Sequence, residues 1–95
     1  MIKHTKPTLQ KVEHIFKELD YVVRYEKGNF NSGYCIVENK RVVVVNRFFD
    51  TDGRVNVLID ILSVIMEDEN ILTDKSKTFY RNLIKNLELS NINQE

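Results

Sequence analysis

The sequence contains one cysteine, Cys35, and two histidines, His4 and His14. A single thiol cannot close a disulfide within the chain. Together with the lack of an N-x-[ST] sequon, it argues against a secreted, disulfide-stapled module. Two histidines ten positions apart make a poor ligand set, so no metal or other cofactor is expected. No apolar run approaches the ~20 residues that a membrane-spanning helix needs. The longest candidate, Val55 to Met66, is broken by Asn56, Asp60 and Ser63. Met1 to Lys6 carries charge and lacks the apolar stretch of a signal peptide. The expected location is therefore the cytoplasm, without membrane contact. There is no alanine, and Asn, Lys and Ile are abundant, a usage that AT-rich bacterial genomes favour.

What is present describes a small globular domain. The 95 residues, 42% hydrophobic and 29% charged, allow one core and argue against disorder. A single domain over residues 1–95 is expected, with residues 90–95 as a frayed tail. A chain this short buries only about 60–65% of its unfolded surface. Dimerisation is the inexpensive route to more, and a homodimer is expected. Net charge is zero but unevenly spread: residues 1–47 carry +4, residues 48–74 carry −6 and residues 75–95 carry +2. That distribution weakens nucleic-acid binding and predicts an acidic edge at Asp50, Asp52, Glu67, Asp68 and Glu69.

Periodicity predicts the order α-β-β-β-α-α in the α+β class. Leu9, Val12, Ile15, Phe16 and Leu19 recur at helical spacing, with Pro7 in the first turn and Asp20 at the end. Tyr21 to Lys27 alternates as a strand. Tyr34 to Glu38 and Arg41 to Asn46 form a hairpin turning at Asn39-Lys40, where Asn accepts a left-handed conformation. That turn pairs Val37 with Val42, Ile36 with Val43, Cys35 with Val44 and Tyr34 with Val45. One face then carries Cys35, Val37, Val42 and Val44, the other Tyr34, Ile36, Val43 and Val45, so both faces call for a cover. The three strands are expected to form an antiparallel meander with helices packed on it. Asp50, Thr51 and Asp52 offer caps for a helix from about Gly53 to Glu67, whose one polar line is Asn56, Asp60, Ser63 and Glu67. Thr73 or Asp74 caps a last helix carrying Phe79, Tyr80, Leu83, Ile84 and Leu87.

Candidate functional residues are few. The loop from Gly28 to Gly33 places Asn29, Phe30, Asn31 and Ser32 between two strands, beside Tyr34. An aromatic among polar loop residues reads either as a contact site or as a side chain folded back on the sheet. The loop has the G-x4-G spacing of a phosphate loop, but Tyr34-Cys35 stands where Lys-Ser/Thr is needed and no helix follows. Cys35 sits among valines, with no cation or base beside it in sequence, and reads as a core thiol. Asp50-Thr51-Asp52-Gly53 lacks the further oxygen ligands of a calcium loop and reads as a cap. His14 and Glu18, one turn apart, read as a solvated pair. No catalytic residue is assigned. The leading expectation is a non-enzymatic binding or interaction module. Two alternatives are a nucleic-acid-binding sheet using Tyr21, Tyr25, Tyr34 and Phe30 with Arg24, Arg41 and Arg47, and an enzyme using Cys35 with His4 or His14.

Two resemblances bear on these expectations. The stretch Arg24 to Cys35, spelled RYEKGNFNSGYC, with the strand Val42 to Asn46 after it, resembles a family of short uncharacterised proteins of Bacteroidetes. It covers about half of the chain and implies no activity. The succession of helix, short sheet and helix also resembles the start of zinc-peptidase domains of the ImmA/IrrE type. Their His-Glu-x-x-His motif falls on Ile59-Asp60-Ile61-Leu62-Ser63, which has neither histidine. This resemblance implies a metal-free derivative and not a peptidase.

Overall fold

Leu9, Val12, Ile15 and Phe16 turn one face of a helix inward, and that helix, α1, spans Lys6–Glu18. Thr5 caps it, its hydroxyl accepting the Thr8 N–H at 3.5 Å, and Pro7 lies in the first turn, where its missing N–H costs nothing. Asp20 closes the helix in the left-handed region at φ 66°, its N–H donating to the Lys17 carbonyl at 3.0 Å. The computed structural model describes residues 3–28, 32–37 and 39–93. After α1 come β1 (Tyr21–Glu26), β2 (Gly33–Val37), β3 (Lys40–Asn46), α2 (Thr51–Ile65), a 3-10 turn (Glu69–Ile71) and α3 (Asp74–Asn93). The α+β class holds, and α3 continues through Ser90 to Asn93.

The expected meander is not formed. Strand order is β1-β3-β2, with β1 parallel to β3 and β2 antiparallel to it. The physical reason lies in β3 itself. Its run Val42 to Val45 is the most apolar of the three strands, and the central position satisfies both its backbone edges while β1 and β2 take the rims. β1 therefore ends, and β2 begins, at the same end of β3 but on opposite sides of it. Two strand spacings of about 4.8 Å are within reach of the six residues from Lys27 to Ser32.

The hairpin register also differs from expectation. Tyr34 pairs with Val43, Cys35 with Val42, Ile36 with Arg41 and Val37 with Lys40. Lys40 is therefore in the ladder and not in the turn. Asn39, at φ 67°, supplies the left-handed residue that the turn requires. Because the shift is an even number of positions, it leaves each residue on the face predicted for it.

One sheet face meets the helices. Val43 and Val45 are fully buried there with Phe16, Val12, Ile15, Val55, Leu58 and Leu62, and Tyr21, Val23 and Tyr25 pack against this core. The helix α2 lies on α1 and β3 and keeps Asn56, Asp60 and Ser63 exposed, as their spacing predicts; it starts at Thr51 and ends at Ile65, so Glu67 is exposed beyond it and not on its polar line. Asp50 caps it, its Oδ1 accepting the Gly53 N–H at 2.8 Å. The expected single acidic edge is split: Asp50 and Asp52 lie at one end of α2, Glu67, Asp68 and Glu69 beyond the other, about 22 Å apart along 15 residues of helix.

Candidate functional site

Gly28 and Ser32, the described ends of the connection between β1 and β2, are both held by Asn46 at the end of the valine strand. Its N–H donates to Ser32 Oγ at 3.0 Å, and its side-chain amide donates to the Gly28 carbonyl at 3.1 Å. Its Oδ1 accepts the Phe48 N–H at 3.1 Å. Asn46 thus grips both feet of the loop and the turn that follows β3. Arg54 holds the same turn from α2, donating to the Phe49 carbonyl at 2.9 Å and the Arg47 carbonyl at 3.0 Å, with its guanidinium 4.5 Å from the Tyr25 ring. Phe49 packs on the core, while Phe48 beside it is 75% exposed.

Of the residues singled out in the sequence, Ser32 is at this junction as a foot of the loop. Tyr34 lies in β2 opposite Val43. Asn29, Phe30 and Asn31 lie outside the described residues, as does Glu38 of the hairpin turn. Two of the tyrosines expected to stack bases, Tyr21 and Tyr25, are engaged elsewhere. Tyr21 meets Phe16 edge to face at 6.2 Å, and the Tyr25 hydroxyl donates to the Glu13 carboxylate. Burial, and then Glu13, raise the Tyr25 hydroxyl above the ordinary phenol range. Both rings sit on the helix-covered side, so neither offers an open platform to a base.

The histidines are paired with carboxylates. His4 Nδ1 lies 2.6 Å from Asp52 Oδ1, and His14 Nε2 lies 2.8 Å from Glu18 Oε2. Glu18 does more than balance His14. Its Oε1 accepts the Thr73 N–H at 2.8 Å, and its Oε2 accepts the Ser76 hydroxyl, so α1 caps the start of α3. Burial alone would raise the Glu18 carboxyl, but Ser76, Thr73 and His14 together hold it below the usual carboxylate range. Cys35 pairs across the ladder with Val42, which is only half-buried.

The sheet's second face has no helix on it among the described residues. Val22 is 52% exposed, and Val42 and Val44 beside it are half-buried and take no part in the core. The register sets Val22 against Val42 and Arg24 against Val44, with Glu26 next along β1. Arg24 and Glu26 pair at 2.8 Å at the rim of this valine patch. Hollows among the described residues include a groove of about 520 Å³ between α1 and α3 and one of about 350 Å³ lined by Arg41 together with Glu18, Asp20, Glu67 and Asp68.

No protein-family model matches the chain, and no curated protein or solved structure matches it at a significant level. No helix among the described residues is long and apolar enough to cross a membrane.

Sequence reasoning missed Asn46 and the wider role of Glu18. Asn46 had a signal, since a lone amide ends a run of four valines where the chain must turn. Glu18 had none, because its partners lie more than 50 residues away.

Proposed function

We propose that this chain is a non-enzymatic interaction module of the bacterial cytoplasm that associates with a second copy of itself through the uncovered face of its sheet. The observation that carries this reading is the contiguous patch Val22, Val42 and Val44, without a helix over it among the described residues, on a domain whose other sheet face packs against the helices. An antiparallel or mixed sheet that faces water normally carries polar residues on that side. Charge favours a second copy as the occupant. In a two-fold pairing, residue i meets j and j meets i, so the Arg24–Glu26 pair of one copy meets the opposite charges of the other.

Size sets the strength of the pairing. Three strands of about six residues make a flat face of roughly 300 Å², below the ~800 Å² that each partner of a stable complex buries. Association in the weak, concentration-dependent class is the expectation. Replacing the exposed Val22 with lysine puts a charge into the patch without touching the core. The test is light scattering at matched concentration: the wild type gives the higher mass and Val22→Lys gives the monomer. Equal masses for the two proteins would remove this reading.

The exposed Phe48 favours a second reading, in which a different protein binds at the strand ends beside the loop. Aromatic side chains, phenylalanine included, are enriched in such contacts. Phe48→Ser would then abolish partner capture while leaving self-association unchanged.

A further inference from the structure

We infer that the groove between α1 and α3 is a binding site for a small amphipathic anion, an organic carboxylate or sulfonate with an apolar body. The juxtaposition that points to it is Lys11, His14 and Lys75 around Pro7 and Phe79, with no carboxylate among the lining side chains.

The helices run antiparallel here. Glu18, at the end of α1, reaches Thr73 and Ser76 at the start of α3, and Lys11, two turns earlier, lies over Phe79. Between them the groove holds about 520 Å³, within the ~300–1,000 Å³ of small-molecule sites. Its walls divide by chemistry. Phe79 and Pro7 supply apolar surface, Gln10 and Asn82 supply amide donors, and Lys11 and Lys75 supply charge.

The lysines decide the sign of the ligand. Neither ammonium has an ion-pair partner among the described residues, and Lys11 rests 5.5 Å from the centre of the Phe79 ring. Glu18 beside the groove is already occupied by the Thr73 N–H, the Ser76 hydroxyl and His14, and Asp74, in the opening turn of α3, is not among the lining residues, so the lining itself stays cationic. The opening turn of α3 adds the partial positive charge of its N–H groups. The chain as a whole is neutral, yet this lining carries two free cations and no anion. The hollow near Arg41 lacks that property, since four acidic side chains, Glu18, Asp20, Glu67 and Asp68, share it with one guanidinium.

An anion with an apolar body satisfies both halves of the groove at once: its charged head sits between Lys11 and Lys75, and its body lies along Phe79 and Pro7. A cation of the same shape would meet two ammonium groups, and a neutral molecule would forgo the charge.

The experiment uses the whole chain and the fluorescent probe anilinonaphthalene sulfonate, followed by displacement with decanoate, decanol and decyltrimethylammonium. The expected result is saturable fluorescence enhancement with one probe per chain, displaced by decanoate at concentrations at least about tenfold below those of the other two. Lys11→Glu combined with Lys75→Glu should weaken probe binding by about tenfold or more. Both lysines are exposed and unpaired, so the fold survives the change, and an unaltered circular dichroism spectrum checks this. Val22→Lys, on the opposite side of the sheet from the helices, should leave binding unchanged. No saturable binding, equal displacement by all three competitors, or unaltered affinity in the double variant would each overturn the inference. Loss of binding in Val22→Lys alone would assign the probe to the open sheet face and overturn it equally.

Discussion

Replacing Glu18 with alanine tests whether one carboxylate fastens α1 to α3. Glu18 takes donors from three directions: the Thr73 N–H at 2.8 Å, the Ser76 hydroxyl, and His14 Nε2 at 2.8 Å. Hydrogen bonds to a charged group contribute ~1.5–3 kcal/mol each when both groups are withdrawn from water. His14 is 59% exposed, so its share is small. The Thr73 N–H lies at an exposed helix end, where water replaces the lost acceptor. Ser76 is the buried partner, at 9% exposure, and its bond is the main loss. The expected cost of Glu18→Ala is about 2 kcal/mol, which lowers the melting midpoint of a domain this size by roughly 8–16 °C. The sign of the pH dependence follows from the depressed Glu18 carboxyl. Its contribution is present above the ordinary value of 4.5 and is lost as pH falls through the lower value of the folded state. Urea unfolding of both proteins near pH 7 and again near pH 3 measures the difference, which should shrink at the lower pH. A cost below about 0.5 kcal/mol near pH 7, or one that stays constant down to low pH, would refute the latch.

Asn46→Ala removes the amide that grips the connection between β1 and β2. It should cost about 1–3 kcal/mol in urea unfolding and speed hydrogen exchange at Phe48, whose N–H loses its acceptor. Asp20→Gly relieves a left-handed residue at the end of α1 and should raise the melting midpoint, by about 0.5 kcal/mol in stability. Asp50→Ala removes the cap of α2 and should lower stability by about 1 kcal/mol in the same unfolding assay. Phe16→Ala, at a fully buried position under the sheet, should cost about 3–5 kcal/mol and leave the isolated chain partly unfolded by circular dichroism at moderate temperature.

The three helices were legible because their apolar residues repeat at helical spacing and because Pro7 in the first turn of α1, Asp50 before α2 and Thr73 before α3 mark their starts. Residue faces in the hairpin were legible for a similar reason, since period-two alternation survives an even shift of register. Strand neighbours were not. Alternation says which side a residue faces and nothing about which strand lies alongside, so the parallel pairing of β1 with β3 had no local signature. Burial of β3 on both edges follows from competition among the three strands for the central place, which only the assembled sheet decides. The candidate loop was partly legible: its glycines mark a connection between two strands, but the expected meander set those strands side by side, and Asn46, which holds Gly28 and Ser32, is remote in sequence. The valine patch was read as a surface needing cover, and the described helices cover only the other side.

The central claim is that Val22, Val42 and Val44 meet the same residues of a second copy. Sedimentation equilibrium of the full chain from about 5 to 500 µM tests it most directly, spanning the range expected of a small interface. The account predicts a mass that rises with concentration towards twice 11.2 kDa, and a Val22→Lys variant that stays at 11.2 kDa throughout. A wild-type chain that remains at the monomer mass at the highest concentration would contradict it.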